Sequence, residues 1–152
     1  MIMAAKKKTV AKKPKEKKKA EAGIVTRGKR KESVARAVAR AGKGILRVNK
    51  FLFETIQEPY AKQIIGEPLL IAGDVSKTVD IDVSVYGGGP MSQAQAVRTA
   101  IARALVEFTG DAELKKKMMA YDRSLIVEDT RRVEPKKYKG RKARARFQKS
   151  YR

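Results

Sequence analysis

Several stretches of this sequence hold residue types that can do chemistry, and each admits more than one reading. In Tyr86-Gly87-Gly88-Gly89-Pro90 a glycine run leads into an alanine-rich segment ending at Arg103-Ala104-Leu105. Free amides at a helix start attract phosphate, which is the logic of nucleotide-binding loops. The Lys followed by Ser or Thr of a P-loop is missing, and so is the G-x-G-x-x-G spacing of dinucleotide sites. Two readings remain. The glycines make a tight strand-to-helix turn, or their bare backbone lets an RNA phosphate or another chain segment come close, with Arg98 and Arg103 in support. Asp80 and Asp82 fall on one face of an extended chain. Paired carboxylates bind metal or move protons, but without other ligand types nearby a solvated strand face is the stronger reading. Glu128-Asp129 reads the same way, with Arg131 or Arg132 as ion-pair partners.

Two basic clusters carry more weight. The run from Arg27 to Ser33, RGKRKES, is either an edge strand protected by lysines or a strand facing RNA. Arginine is the better phosphate fork, and arginines recur at 27, 30, 36 and 40, which favours RNA. The end of the sequence, Lys136 to Arg152, holds nine Lys or Arg and no acid. Tyr138, Phe147 and Tyr151 are interleaved with these cations. Phosphates pair with Arg and Lys while bases stack on rings, so the pattern suits single-stranded or irregular RNA. Ordering seventeen residues costs on the order of 17–34 kcal/mol of backbone entropy. No core forms in return, so only a partner's contacts offset that cost. Fully extended, the segment spans roughly 55–60 Å.

Charge partitions the chain in the same way. Residues 1–22 hold nine Lys and two Glu, residues 136–152 contribute +9, and 23–135 hold nineteen basic and fourteen acidic residues. The expected organisation is a disordered basic arm over 1–22, a globular domain over 23–135 and an extended tail over 136–152. The arm reads as nucleic-acid contact or as a plain solubility tail. Histidine and cysteine are absent. That removes the commonest general base, the commonest transition-metal ligand and thiolate chemistry, so no enzyme, cofactor or metal site is expected. No apolar run approaches the roughly 18 residues of a membrane span, and Met1-Ile2-Met3 followed by lysines does not read as a secretory signal.

The elements that must position these residues follow from periodicity. Val34, Arg36, Val38 and Arg40 fall on one side of a strand and Ala35, Ala37 and Ala39 on the other, a small-residue side suited to close packing against helices. Gly42-Lys43-Gly44 predicts a turn that pairs this strand in a hairpin with Ile45–Val48. Asn49 is expected to cap a short helix through Phe53 and Ile56. Pro59 and Pro68 each mark a helix start. Val79, Ile81, Val83 and Val85 alternate with polar residues as a half-buried strand. Ala94, Val97, Ile101, Ala104, Leu105 and Phe108 share one helical face. Gly110 ends that helix and Asp111 caps the next, through Leu114 and Met118. A strand is expected at Leu125–Val127. The sum is a two-layer α+β domain with helices on one face of a small sheet.

Three stretches together, TRGKRKESVAR (26–36), YGGGPMSQAQAVRTAIARAL (86–105) and RRVEPKKYKGRKARARFQKSYR (131–152), resemble the small-subunit ribosomal protein number nine family, in order and spacing. The ending Gln148-Lys149-Ser150-Tyr151-Arg152 is similar to the archaeal and eukaryotic branch, since the bacterial form usually ends in Phe-Ser-Lys-Arg. The resemblance covers about residues 24–152. It implies a four-stranded mixed sheet with helices on one face, similar to the second domain of ribosomal protein five and containing a left-handed crossover, which general handedness rules do not predict. It implies a structural role in translation, in the head of the cytoplasmic small ribosomal subunit, bound to its rRNA beside neighbouring ribosomal proteins. On that resemblance rRNA contact falls on Arg27, Lys29, Arg30, Lys31 and Arg36, then on Gly87, Gly88, Gly89, Gln93 and Arg98. In the tail it falls on Lys136, Lys137, Tyr138, Lys139, Arg141, Lys142, Arg144, Arg146, Phe147 and Gln148. The last residues, Lys149, Tyr151 and Arg152, are implied to reach the anticodon arm of the peptidyl-site tRNA. The competing class is a non-ribosomal DNA- or RNA-binding protein with basic arms, which does not require the glycine–Gln93 motif together with this ending.

Overall fold

The structure is a computed structural model that describes residues 23–148 and 150. The expectations for the arm 1–22 and for Lys149, Tyr151 and Arg152 lie outside the described residues. Five strands form one sheet: β1 (Ile24–Arg30), β2 (Ser33–Ala41), β3 (Leu46–Val48), β4 (Phe51–Leu52) and β5 (Val79–Tyr86), in the order β1-β2-β5-β3-β4. Only β3 and β5 run parallel. The helices are α1 (Pro59–Ala72), α2 (Pro90–Thr109) and α3 (Ala112–Tyr121). The α+β class and mixed sheet therefore stand, with five strands rather than four, because the two-residue β4 adds a short hairpin to β3.

The alternation of β2 does what its residue sizes dictate. Ala35, Ala37 and Ala39 are fully buried beneath α2, while Arg36 and Arg40 face outward. Val79, Ile81, Val83 and Val85 of β5 continue the same buried layer. From α2, Ala94, Val97, Ala100, Ile101, Ala104 and Leu105 descend onto it. Leu114 and Met118 of α3 complete the core, beyond a left-handed Gly110 and the Asp111 cap, whose carboxylate accepts the Glu113 amide.

Four local expectations need correction. The turn at Gly42–Gly44 does not pair β2 with β3, because β5 inserts between them; the β2 hairpin partner is β1, joined through Lys31-Glu32. Asn49 caps no helix. With Lys50 it forms the β3–β4 turn, both at positive φ, and its side-chain oxygen accepts the Val85 amide at 2.9 Å. Pro59 does sit at the start of α1, but Pro68 lies inside that helix and is buried. Burial of its neighbours Leu69, Ile71 and Ala72 against the core outweighs the single backbone bond that a proline cannot make. Arg123–Leu125 is a 3-10 turn rather than a strand, with Leu125 plugged into the core.

Asp80 settles the reading of the paired carboxylates. One of its oxygens accepts the amides of Lys43 at 2.7 Å and Ile45 at 2.9 Å, so it organises the turn that leads into β3. Asp82 faces Arg40 and Arg47 instead. The Ile45 and then the Lys43 amide hold the Asp80 carboxyl below its ordinary value of 3.8. A depressed carboxyl contributes stability that is fully present above the unfolded value and is lost as pH falls through the folded one. Asp80→Ala is therefore expected to lower Tm by a few degrees at neutral pH. The difference from the parent protein should shrink below about pH 4. Melts across pH 2–7 check this, and a constant difference down to the lowest pH overturns it.

Candidate nucleic-acid interface

At one end of the sheet the structure brings together the β1–β2 tip and the glycine turn. Lys31, at φ +53, stands exposed on the tip. Gly87 and Gly88 adopt φ +78 and +63, whereas Gly89 is extended and caps α2. A side chain on Gly87 would meet the Glu32 carbonyl at 2.7 Å, and one on Gly88 would land on the Ser33 hydroxyl. Nothing lies within 4 Å of the same position on Gly89. Both proposed uses of the glycines are thus partly realised inside the fold, since the close approach is to the β1–β2 tip. Ser33, fully buried, donates its hydroxyl to the Gly87 carbonyl at 2.9 Å. Gln93 donates to that carbonyl at 3.0 Å from the first turn of α2. The first turn of α2 carries no acid, and no side chain caps it. Positive φ and steric contact together predict a graded series. Gly87→Val and Gly88→Val are expected to cripple incorporation into small subunits, and Gly89→Val to be tolerated; gradient sedimentation of reconstituted particles reads the difference. Normal incorporation of all three would make the turn a passive linker.

The arginines divide into two groups. Arg98 is 11% exposed and enclosed by Asp122, Ser124 and Glu67; Nη1 donates to Asp122 at 2.8 Å and to Ser124 at 3.1 Å. Burial pushes the Asp122 carboxyl up, but hydrogen bonds from Ser124 and Arg98 outweigh it and leave the group below its ordinary value. Arg103 donates to the carbonyls of Ile126 and Arg27 and pairs with Glu128. Arg30 donates to Gln95 at 2.7 Å and pairs with Asp129. Arg98, Arg103 and Arg30 thus all have protein partners, which tie the 122–129 segment to α2 and β1. Arg131 pairs with Asp129, as the sequence suggested, while Glu128 turns to Arg103 and Arg27. Arg27, Lys29 and Arg36 point away from the helices, and the Arg27 side chain meets Glu128 at 3.4 Å.

The tail is not uniformly extended. Gly140 pairs with Arg146 in an antiparallel bridge, and Arg146 donates to the Tyr138 carbonyl at 2.8 Å. Glu134 holds Lys137 at 2.8 Å and Arg144 at 2.9 Å, and these two contacts keep its carboxyl below the usual range. Lys136, Lys139, Arg141, Lys142 and Gln148 are exposed, as are the rings of Tyr138 and Phe147.

A family model described as ribosomal protein S9/S16 matches residues 28–152. The chain belongs to the ribosomal protein S9 family. A small ribosomal subunit protein uS9 from Desulfurococcus amylolyticus is 54% identical over 129 residues, covering 85% of this chain and 92% of the relative. Its counterpart from Methanothrix thermoacetophila is 50% identical over 125 residues, 82% and 95% of the two chains. One from Methanococcus maripaludis is 46% identical over 131 residues. Membership makes the chain a structural ribosomal protein of the small subunit, part of the cytoplasmic translation machinery and not an enzyme. No helix among the described residues is long and apolar enough to cross a membrane.

Seen as an S9-family motif, TRGKRKES contains two residues that sequence reasoning passed over. Thr26 is buried and donates to the Ala100 carbonyl at 2.8 Å. Gly28 lies against the α2 backbone, where a side chain would collide with the Ala96 carbonyl and stand 2.6 Å from the Ala100 amide. The signal was a lone glycine within a strand pattern, which marks a close backbone approach.

Proposed function

We propose that the chain binds the rRNA of the small-subunit head through the outward cations of β1 and β2, the exposed end of the glycine turn and the tail, and that its last residues reach the peptidyl-site tRNA. The observation that carries this reading is the tail. Tyr138 and Phe147 stand 86% and 62% exposed among cations whose acidic partner, among the described residues and where one is present, is Glu134. Such rings and charges have no use in a free domain, whereas an RNA supplies phosphates and bases for both. Neighbouring head proteins are further partners. Kinship with the second domain of ribosomal protein five, and a left-handed crossover between the parallel strands β3 and β5, belong to the same reading.

Arg152 meets a phosphate of the tRNA anticodon arm in this reading, since guanidinium offers a forked, always-charged set of donors. One partly wet contact of this kind is worth roughly 1–3 kcal/mol. Removing Tyr151 and Arg152 is therefore expected to leave subunits intact while raising the tRNA off-rate about 5- to 150-fold. The measurement is peptidyl-site tRNA dissociation from purified small subunits, with the chain verified intact to Ser150. Equal off-rates leave the tail as an rRNA clamp alone.

A further inference from the structure

The cations that the ribosomal reading assigns to RNA stand on the open face of the sheet, on the β1–β2 tip and in the tail. The stretch from Phe51 to Val75, which holds β4 and α1, has the opposite make-up. It carries one base, Lys62, against four acids, whereas the rest of the chain has thirty-six basic and twelve acidic residues. Lys62 is engaged locally. Its Nζ donates to the Glu54 carbonyl at 3.1 Å and lies 5.6 Å from the centre of the Phe53 ring. Glu67 is held by Arg98, and Asp74 by Lys77. Glu54 and Glu58 are exposed and, among the described residues, have no ion-pair partner.

The same stretch displays apolar surface. In α1, Ala61, Ile65, Pro68 and Ala72 are buried against the core, which leaves Pro59, Gln63, Gly66 and Leu70 on the outward stripe. That stripe has no charge, and Leu70 is 82% exposed. A side chain on Gly66 would stand 3.5 Å from the Phe53 ring, so the 3-10 turn Phe53–Thr55 runs beside the stripe. Phe51 pairs with Val48 and therefore stands on the helix side of the sheet, 69% exposed. Tyr60 is exposed at the start of α1. Between the starts of α1 and α2 and the end of β3 runs a groove of about 350 Å³, lined by Val48, Ile56, Ala61, Ile65 and Val97. Glu58 and Gln93 are among its polar residues. Scattered apolar residues are ordinary on a surface, but here rings, leucine and groove lie together along one edge of the sheet.

We infer that this β4–α1 face docks a protein segment that is both apolar and basic, belonging to a neighbour in the subunit head. The inference rests on the ribosomal reading above and deepens it, giving its protein partners a surface and a chemistry. Charge argues against RNA as the occupant, since two unpaired acids with no free cation between Phe51 and Val75 repel phosphate. Burial of Phe51, Leu70 and the groove supplies apolar area, as in the charge-poor centres of protein interfaces. Glu54 and Glu58 supply selection, because a Lys or Arg of the partner meets them favourably while an acidic partner is repelled. The chain's own basic arm is a poorer match. Ala and Pro are the only apolar types in residues 11–22, which join the domain at β1, the edge strand opposite β4.

The test reconstitutes small subunits with the full chain carrying the photo-cross-linker p-benzoylphenylalanine in place of Leu70 or, separately, of Tyr60. Irradiation is expected to join the chain to a Lys- or Arg-rich segment of one other small-subunit protein, read by mass spectrometry of the cross-linked peptide. Glu54→Lys with Glu58→Lys should lower that yield roughly tenfold or more. Glu107→Lys with Glu113→Lys, the same change of charge on exposed residues at the α2–α3 corner, should leave it unchanged. Cross-links to rRNA, to a second copy of this chain or to its own residues 1–22 overturn the inference and spare the ribosomal reading. So do a cross-linked peptide poor in Lys and Arg, an absence of cross-links in normally assembled subunits, or equal yields from the two charge variants. The Tyr60 position keeps the test decisive should the bulkier probe at Leu70 hinder folding, since it exchanges one aromatic ring for another. Failure of the unsubstituted chain to enter small subunits sinks the ribosomal reading as well.

Discussion

Gly28→Val is expected to leave no stable domain. The Gly28 position faces the backbone of α2, so a side chain there meets the Ala96 carbonyl and the Ala100 amide, neither of which can swing aside. The contact lies at the heart of the β1–α2 seam, next to the Thr26 hydrogen bond to the Ala100 carbonyl. Relief requires moving β1 off the helix, which uncovers Ala96 and Ala100, both fully buried. Overpacking of this kind costs about 1–3 kcal/mol, and more where backbone meets backbone. Even Gly28→Ala is thus expected to cost about 3 kcal/mol, a large share of the ~5–15 kcal/mol that holds a typical domain together. Urea unfolding of the full chain reads the alanine variant; loss of the cooperative transition is the result expected for valine. Gly89→Ala, with open space around it, serves as the control. An alanine variant with the parent's midpoint would show that β1 shifts away from α2 freely.

Deleting residues 136–152 is expected to remove most of the salt dependence of rRNA binding. Each neutralised phosphate releases counterions and adds about 0.7–0.9 to the slope of log affinity against log salt. The full chain, making about eight such contacts, should show a slope of about −6 to −7. Nine of its cations lie in the deleted segment, and only Lys137 and Arg144 meet an acid among the described residues. The truncated chain should retain a slope of about −2 to −3, carried by the open sheet face and the β1–β2 tip. Filter binding to a head-domain rRNA fragment between 50 and 400 mM salt, roughly a decade of concentration, gives both slopes. An unchanged slope would show that the tail touches no phosphate.

Local patterns were legible wherever one side chain's neighbours lie along the chain. The alternation of Val34–Arg40 and Val79–Tyr86, the apolar face of α2 and the Asp111 cap all follow from periodicity and capping chemistry. The basic, ring-bearing character of the tail was legible too, because nine cations, three aromatic rings and no acid in seventeen residues are a matter of composition. Gln93 and Arg98 stood out in the motif, but their partners inside the fold did not. Gln93 closes the glycine turn onto α2, and Arg98 binds Asp122 and Glu67, which approach from α3's end and from α1. Neither partner lies near in sequence, so type and spacing pointed at charge without saying where it is spent.

The sequence by itself determined the α+β class and the charged ends, because composition and short-range periodicity are properties of neighbours, while the resemblance of three motifs to a known family carried the ribosomal role. Only the tertiary structure decided that β5 enters between β2 and β3, since strand order is a choice among long-range pairings of similar local merit. It also decided which glycines are indispensable, because Gly28 and Gly88 are constrained by Ala96 and Ser33, which reach them only when the chain is folded. Last, it decided which arginines remain free. Arg36 and Arg98 are the same residue type in the same sequence, but one faces solvent across the open sheet and the other is enclosed by three partners. Packing selects between them, since partners from α1 and the end of α3 close around one guanidinium and none folds over the other.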